Sequence, residues 1–199
     1  MRSNLRLRRA LVPLVAVTGL LGVSGTALAQ TGGATPPGGT TTTPTTPTTP
    51  TTPTTGTPGV ATLQADGSAL APPDAPPQVR KAINAGNRIR FKPYIWGGGH
   101  RSFKAKGYDC SGAVSYVLHA AGLLKTPMAS GDLARRWGSV GVGQWITVYA
   151  NRSHTYMTVA GLRFDTSAVG ESVSNGSGPR WRSTQRLSTG YTSKYYLGL

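Results

Sequence analysis

The chain has 199 residues, with 21 Lys plus Arg against 6 Asp plus Glu, a formal net charge of +15, and one cysteine. A lone cysteine excludes an internal disulfide framework, and so large a charge points to an anionic partner.

Arg2, Arg6, Arg8 and Arg9 precede an apolar run from Ala10 to Leu21, and the small-residue site Ala27-Leu28-Ala29 precedes Gln30. This is the pattern of a cleavable secretory signal over residues 1–29. The run is about 12 residues long and holds Pro13 and Gly19, whereas a membrane span needs roughly 20 apolar residues, so no stable membrane anchor is expected. Removing the four leader arginines from the 21 basic residues, against 6 acidic ones, leaves +11. Residues 30–75 read as a disordered Thr/Pro-rich linker, with the triplet TTP repeating from Thr42 to Pro53 and nothing to bury in a core. Residues 76–199 then form one domain of ordinary size with a single core. Export, the Thr/Pro stalk and the lack of a nucleic-acid motif favour an extracellular polyanion over nucleic acid, and a bacterial wall is the natural candidate.

Within the domain, Pro76-Pro77 followed by QVRKAINAGNRI predicts a helix with proline in its first turn, burying Val79, Ala82 and Ile83 and ending between Gly86 and Arg90. KPYIWGGGH, residues 92–100, predicts a loop whose glycines let the backbone approach another group closely. In YDCSGAVSYVLHAAG, residues 108–122, Asp109 is placed to cap a helix whose apolar face is Ala113, Val114, Val117, Leu118 and Ala121, with Gly122 as the stop. A loop with Pro127, Gly131 and Gly138 follows. QWITVYA, HTYMTVAG and LRFDTS then read as consecutive antiparallel strands. A Gly/Ser-rich flexible loop over 170–178 and a basic aromatic tail close the chain. Helices first and a meander second make an α+β domain.

Cys110 begins a helix, where unpaired amides and the helix dipole favour a thiolate, and Ser111-Gly112 leave room for a substrate beside the sulfur. Asp109 opposes the thiolate unless its carboxylate is occupied in capping. A cysteine nucleophile needs a base, and the chain has three histidines. His119 lies nine residues along the same helix, about 13 Å up the axis at 1.5 Å per residue, out of reach of Cys110. His100 in the glycine loop is a substrate-contact candidate. His154 at a strand start is the favoured base, and Asp165 on the next strand is either the partner for its second ring nitrogen or a cap that turns the chain at the strand end with Thr166 and Ser167. A turn at Val159-Ala160 would set the pair directly opposite; a turn at Gly161-Leu162 would keep them on one face but out of register. Of the four tryptophans only Trp96 is assigned a substrate role, the others being core and rim residues. No His/Cys cluster has metal-ligand spacing, so no metal or other cofactor is expected.

PYIWGGGH, YDCSGAVSYVLHAAG and the later strand histidine together resemble the NlpC/p-sixty family of papain-like bacterial cell-wall cysteine peptidases, over residues 93–167. The resemblance implies a papain-like domain with the nucleophile helix packed on an antiparallel sheet. It implies Cys110 as nucleophile, His154 as base, Asp165 as third polar member and Tyr94 as a hydroxyl near the oxyanion. It implies peptidoglycan stem peptides as substrate, commonly the bond between D-glutamate and a diamino acid, cleaved through a thioester with the Cys110 amide as an oxyanion donor. Two departures stand out: family members more often carry His, Asn or Gln at the third place, and HTYMTVAG replaces the usual His-Val-Gly start. Acyl transfer or another amide substrate on the same fold, and a non-catalytic wall-binding module, are the competing readings.

Overall fold

A computed structural model describes residues 58–169 and 177–199. The expected leader, most of the Thr/Pro tract and the centre of the Gly/Ser stretch lie outside the described residues.

The first element is a small hairpin of β1 (Thr62–Leu63) and β2 (Ala69–Leu70), paired Thr62 to Leu70 and Leu63 to Ala69. Asp66 builds its turn by accepting from the Ser68 amide at 2.9 Å and the Ser68 hydroxyl at 2.6 Å. Asn87 pins the hairpin to the next helix, its Oδ1 accepting from the Ala69 amide at 2.8 Å and its Nδ2 donating to the Ala69 carbonyl at 2.9 Å. The expected linker boundary at residue 75 therefore falls too late. Two-residue strands carry no readable periodicity, and Ala61 and Ala69, which are buried here, look like linker residues in sequence.

Helix α1 (Pro77–Ile89) starts and stops where proline and the apolar period place it, burying Val79, Ala82, Ile83, Ala85, Gly86 and Ile89. At Gly86 the indole of Trp181 lies where a side chain would stand, and its Nε1 donates to Asn87 Oδ1 at 2.9 Å. Helix α2 (Cys110–Ala120) is capped by Asp109, whose Oδ1 accepts from the Gly112 amide at 2.8 Å. It packs against α1 and the central sheet.

A third helix, α3 (Ser130–Arg136), stands where a loop was expected. It buries only Ser130 and Leu133, so it has almost no apolar period, and Gly131 reads as a breaker. Asp132 in its first turn pairs with Arg135 at 2.9 Å and Arg136 at 3.0 Å. Among the described residues no helix is long and apolar enough to cross a membrane.

The remaining strands are β3 (Ser139–Val140), β4 (Ile146–Ala150), β5 (Thr155–Val159), β6 (Leu162–Asp165), β7 (Arg180–Arg182) and β8 (Thr192–Tyr195). They form one antiparallel sheet in the order β3-β8-β4-β5-β6-β7. The expected meander is its centre. The tail supplies β7 at one edge and β8 between β3 and β4, with Arg163, Arg182 and Lys194 buried rather than on a basic surface. Helix α2 lies on β5 and β6, giving the α+β arrangement of a helix bearing the lone cysteine on an antiparallel sheet.

Glycines set the approach of the 92–100 loop to α2. The Gly98 carbonyl accepts from the Asp109 amide at 3.2 Å and lies where a Cβ on Gly112 would be, with Gly99 Cα 3.1 Å from that position. Both obstacles are backbone, so neither can swing aside. Gly112→Ala is expected to cost about 3 kcal/mol or more, read as a fall in the thermal unfolding midpoint; an unchanged midpoint would contradict this packing.

Candidate active site

Cys110 is the first residue of α2 and is 8% exposed. Asp109 does not leave its charge free beside the thiol. Its Oδ1 caps Gly112 and accepts from the Ser111 hydroxyl at 3.2 Å, and its Oδ2 accepts from the Gly97 amide at 3.0 Å. His100 Nε2 lies 2.9 Å from Asp109 Oδ2 and 2.9 Å from Ser111 Oγ. One carboxylate thus ties the glycine loop, the helix start and His100 together. His100 and the buried Ser111, expected at the substrate, sit in this network around Asp109.

His154 immediately precedes β5, and Asn151 seats it. The Asn151 Oδ1 accepts from the Ser153 and His154 amides, both at 2.9 Å, a side-chain turn that fixes where the strand begins. His154 Nε2 lies 2.9 Å from Asp165 Oδ1. Cys110 lies close enough to the imidazole to favour its charged form. Burial opposes charging of the ring, but the hydrogen bonds to Asp165 and Cys110 and their charges outweigh it, and His154 is pushed up to about 9.

The β5–β6 turn lies at neither of the two expected positions. Ala160 (φ 46) and Gly161 (φ 76) form its corner, with Val159 opposite Leu162. Positive φ at both corner residues is the hairpin turn that suits the twist of paired strands. Continuing that register, Asp165 stands diagonal to His154 on the same face, two positions from direct opposition, and the imidazole spans the offset.

Asp165 is fully buried and serves both expected uses, facing His154 and turning the strand end at Ser167, while its arginine partners were not anticipated. Oδ1 also accepts from the Ser167 amide at 2.9 Å, while Oδ2 faces Arg186 Nη1 at 3.3 Å and Arg163 Nε at 3.7 Å. Arg182 Nε donates to the Asp165 carbonyl at 3.3 Å. The alternation in LRFD sets Arg163 and Asp165 on one face and was a readable signal for the first of these. Arg186 lies outside any strand and had none. Tyr191 meets the His154 ring edge-on at 6.4 Å, and Arg186 lies over the Tyr156 and Tyr191 rings at 5.6 and 5.4 Å.

Tyr94 lies near enough to Cys110 and Asp109 to feel their charges. Desolvation, followed by the charges of Cys110 and Asp109, raises its hydroxyl above the usual phenol value. Trp96 points outward and is 87% exposed, whereas Trp137, Trp145 and Trp181 are buried. His119 stacks on Phe103 at 3.8 Å and its Nδ1 lies 2.9 Å from the Leu124 carbonyl oxygen, a structural place away from the thiol. His154 and Asp165 are in direct contact, Cys110 and Tyr94 lie near enough for their charges to interact, His100 and Ser111 belong to the Asp109 network beside Cys110, and Trp96 is not brought into any of these contacts. A sulfur nucleophile, a base held by a buried carboxylate and the first-turn amides of α2 together suit attack on an acyl carbon.

No family model and no curated protein matches the chain. Solved structures do. A hypothetical invasion protein of Mycobacterium tuberculosis is 22% identical with a TM-score of 0.42, over 59% of this chain and 63% of that one. An NlpC/P60 family protein from Bacillus cereus is 19% identical with a TM-score of 0.45, over 62% of this chain and 41% of that one. RipD of Mycobacterium tuberculosis, described as a non-catalytic NlpC/p60 domain protein adapted to peptidoglycan binding, is 20% identical with a TM-score of 0.43, over 60% of this chain and 98% of that one. The chain thus spans less than two thirds of the length of the first two, and it is similar to solved structures described as NlpC/P60 proteins.

Proposed function

We propose that this protein is a secreted cysteine hydrolase of peptidoglycan stem peptides, cleaving an amide bond such as that between D-glutamate and a diamino acid. The observation that carries the chemistry is the 2.9 Å contact of His154 with the buried Asp165 carboxylate, with Cys110 near enough to favour the charged imidazole. The wall substrate rests on the motif resemblance over residues 93–167 and on the basic charge of the chain.

The Cys110 thiolate attacks the carbonyl carbon, and the developing oxyanion is met by the Cys110 amide, with the Tyr94 hydroxyl beside it. Protonated His154 gives its proton to the departing amine as the C–N bond breaks, leaving a thioester. Neutral His154 then takes a proton from water, which attacks the thioester and releases the carboxylate and the thiol. Asp165 holds the ring through both steps. Trp96, exposed on the same loop, is offered to the substrate, while His100 and Ser111 act through the Asp109 network that seats the start of α2.

Hydrolysis and acyl transfer share the thioester, and the acceptor separates them. In water enriched in oxygen-18, hydrolysis places one heavy oxygen in the carboxylate of the released fragment. Fragments joined to a new amine and free of label would replace this reading with transfer.

A further inference from the structure

Between β7 and β8 the chain returns past the His154–Asp165 pair, held by three side-chain bonds. Gln185 Nε2 donates to the Gly161 carbonyl at 2.9 Å, the Tyr156 hydroxyl to the Arg186 carbonyl at 3.4 Å, and Asn151 Nδ2 to the Gly190 carbonyl at 3.1 Å. Asn151 is also the residue whose Oδ1 seats His154, so one amide fixes both the base and the returning segment. That segment delivers Arg186, whose Nη1 donates to Asp165 Oδ2 at 3.3 Å. The guanidinium lies over the rings of Tyr156 at 5.6 Å and Tyr191 at 5.4 Å, and those rings meet edge-on at 5.2 Å. Two aromatic faces and a carboxylate hold this cation in one place.

The reaction asks for such a cation. His154 is charged beside the thiolate and neutral when it takes a proton from water, so as a partner for Asp165 it comes and goes. A buried carboxylate that loses its counter-charge is costly. A guanidinium stays charged throughout. Arg163 Nε faces the same oxygen from farther away, at 3.7 Å, and its Nη2 is turned to the Val169 carbonyl at 3.0 Å. Arg182 donates to the Asp165 backbone carbonyl. Arg186 is thus the nearest guanidinium to the carboxylate among the described residues, and it enters from a separate segment. A positive charge one carboxylate away from the imidazole also opposes protonation of the ring. The other titratable groups around the pair, among the described residues, are Cys110 on α2, Tyr156 on β5 and Tyr191 ahead of β8. Tyr156 is pushed up to about 12, chiefly by burial.

We infer that Arg186 is a positioning residue of the site: it holds the second oxygen of Asp165, turns the first toward His154, and balances the charge that an aspartate brings to this place. The inference deepens the proposed hydrolase and rests on its assignment of His154 as base. The test follows the His154 ring by NMR titration of the mature chain carrying Cys110→Ala, so that no thiol titrates alongside it. Arg186→Gln is expected to raise the His154 midpoint by about half a pH unit or more. Arg186→Lys keeps the charge and is expected to move it less than half as far. Arg152→Gln, which removes an exposed cation from the turn before His154, is expected to move it by less than about 0.2 unit. An unmoved or lowered midpoint in Arg186→Gln would overturn the inference, as would equal shifts from Arg152→Gln or from Arg186→Lys. Thermal unfolding gives a second reading that stands even where Arg186→Gln alone does not fold. Asp165→Asn leaves the guanidinium facing a neutral group, so adding Arg186→Gln to it is expected to raise the unfolding midpoint. A further fall would contradict the pairing. No arm reads wall cleavage, so failure of the hydrolase reading leaves these results interpretable.

Discussion

Replacing His154 by alanine lowers kcat/KM on wall peptides by about 10⁴-fold or more, the scale seen when a member of a nucleophile–base pair is removed. The loss has two parts. The imidazolium stabilises the thiolate through its hydrogen bond and charge, and the same ring carries the proton to the departing amine. A measurement without substrate isolates the first part: alkylation of Cys110 by iodoacetamide at one fixed pH is expected to be slower in His154→Ala than in the wild type. The pH behaviour follows from the same contacts. His154 is raised from 6.5 to about 9, so its charged form is favoured by folding. The stability it contributes is fully present below the unfolded value near 6.5 and is lost as pH rises through about 9. Activity that depends on the ion pair should fall on an alkaline limb near pH 9. A limb near 6.5 would contradict the geometry of the ring.

Asp165→Ala acts on folding and chemistry together. The carboxylate is fully buried and faces Arg163 and Arg186 on one oxygen and His154 on the other. Removing it leaves buried positive charge without this partner, which costs about 3–5 kcal/mol, read as a large fall in the thermal midpoint. It also releases the imidazole, and an orienting aspartate is worth about 10⁴ in kcat where this has been measured in other triads. His154 loses a hydrogen bond and a charge that favour its protonated form, so the alkaline limb moves to lower pH. Asp165→Asn keeps the shape and loses the charge; it should retain more stability than Asp165→Ala while still shifting the limb. A variant as stable and as active as the wild type would remove Asp165 from the account.

Much of this site was legible because it is local in sequence. Asp109 capping a helix that begins at Cys110, glycines that bring the preceding loop onto that helix, and a strand starting at His154 follow from short-range chemistry. The Asp109 carboxylate, which stood against a thiolate on paper, is absorbed by four polar partners in space. What was not legible depends on long-range placement. Arg186 reaches Asp165 from a loop 21 residues away, and β8 inserts beside β4 after a detour through the whole tail. The β1–β2 hairpin and α3 are too short and too polar to show a period. The β5–β6 turn hinged on Ala160, whose positive φ is uncommon for a residue with a Cβ, so glycine alone could not fix the register.

The proposed hydrolase stands or falls with Cys110 as its nucleophile. Mass spectrometry of the soluble fragments released from purified peptidoglycan by the mature protein and by Cys110→Ala tests it most directly. New stem-peptide fragments are expected from the wild type alone, with both proteins folded and both retained on the wall. The absence of fragments from either protein across several wall types, or equal release by both, would contradict it.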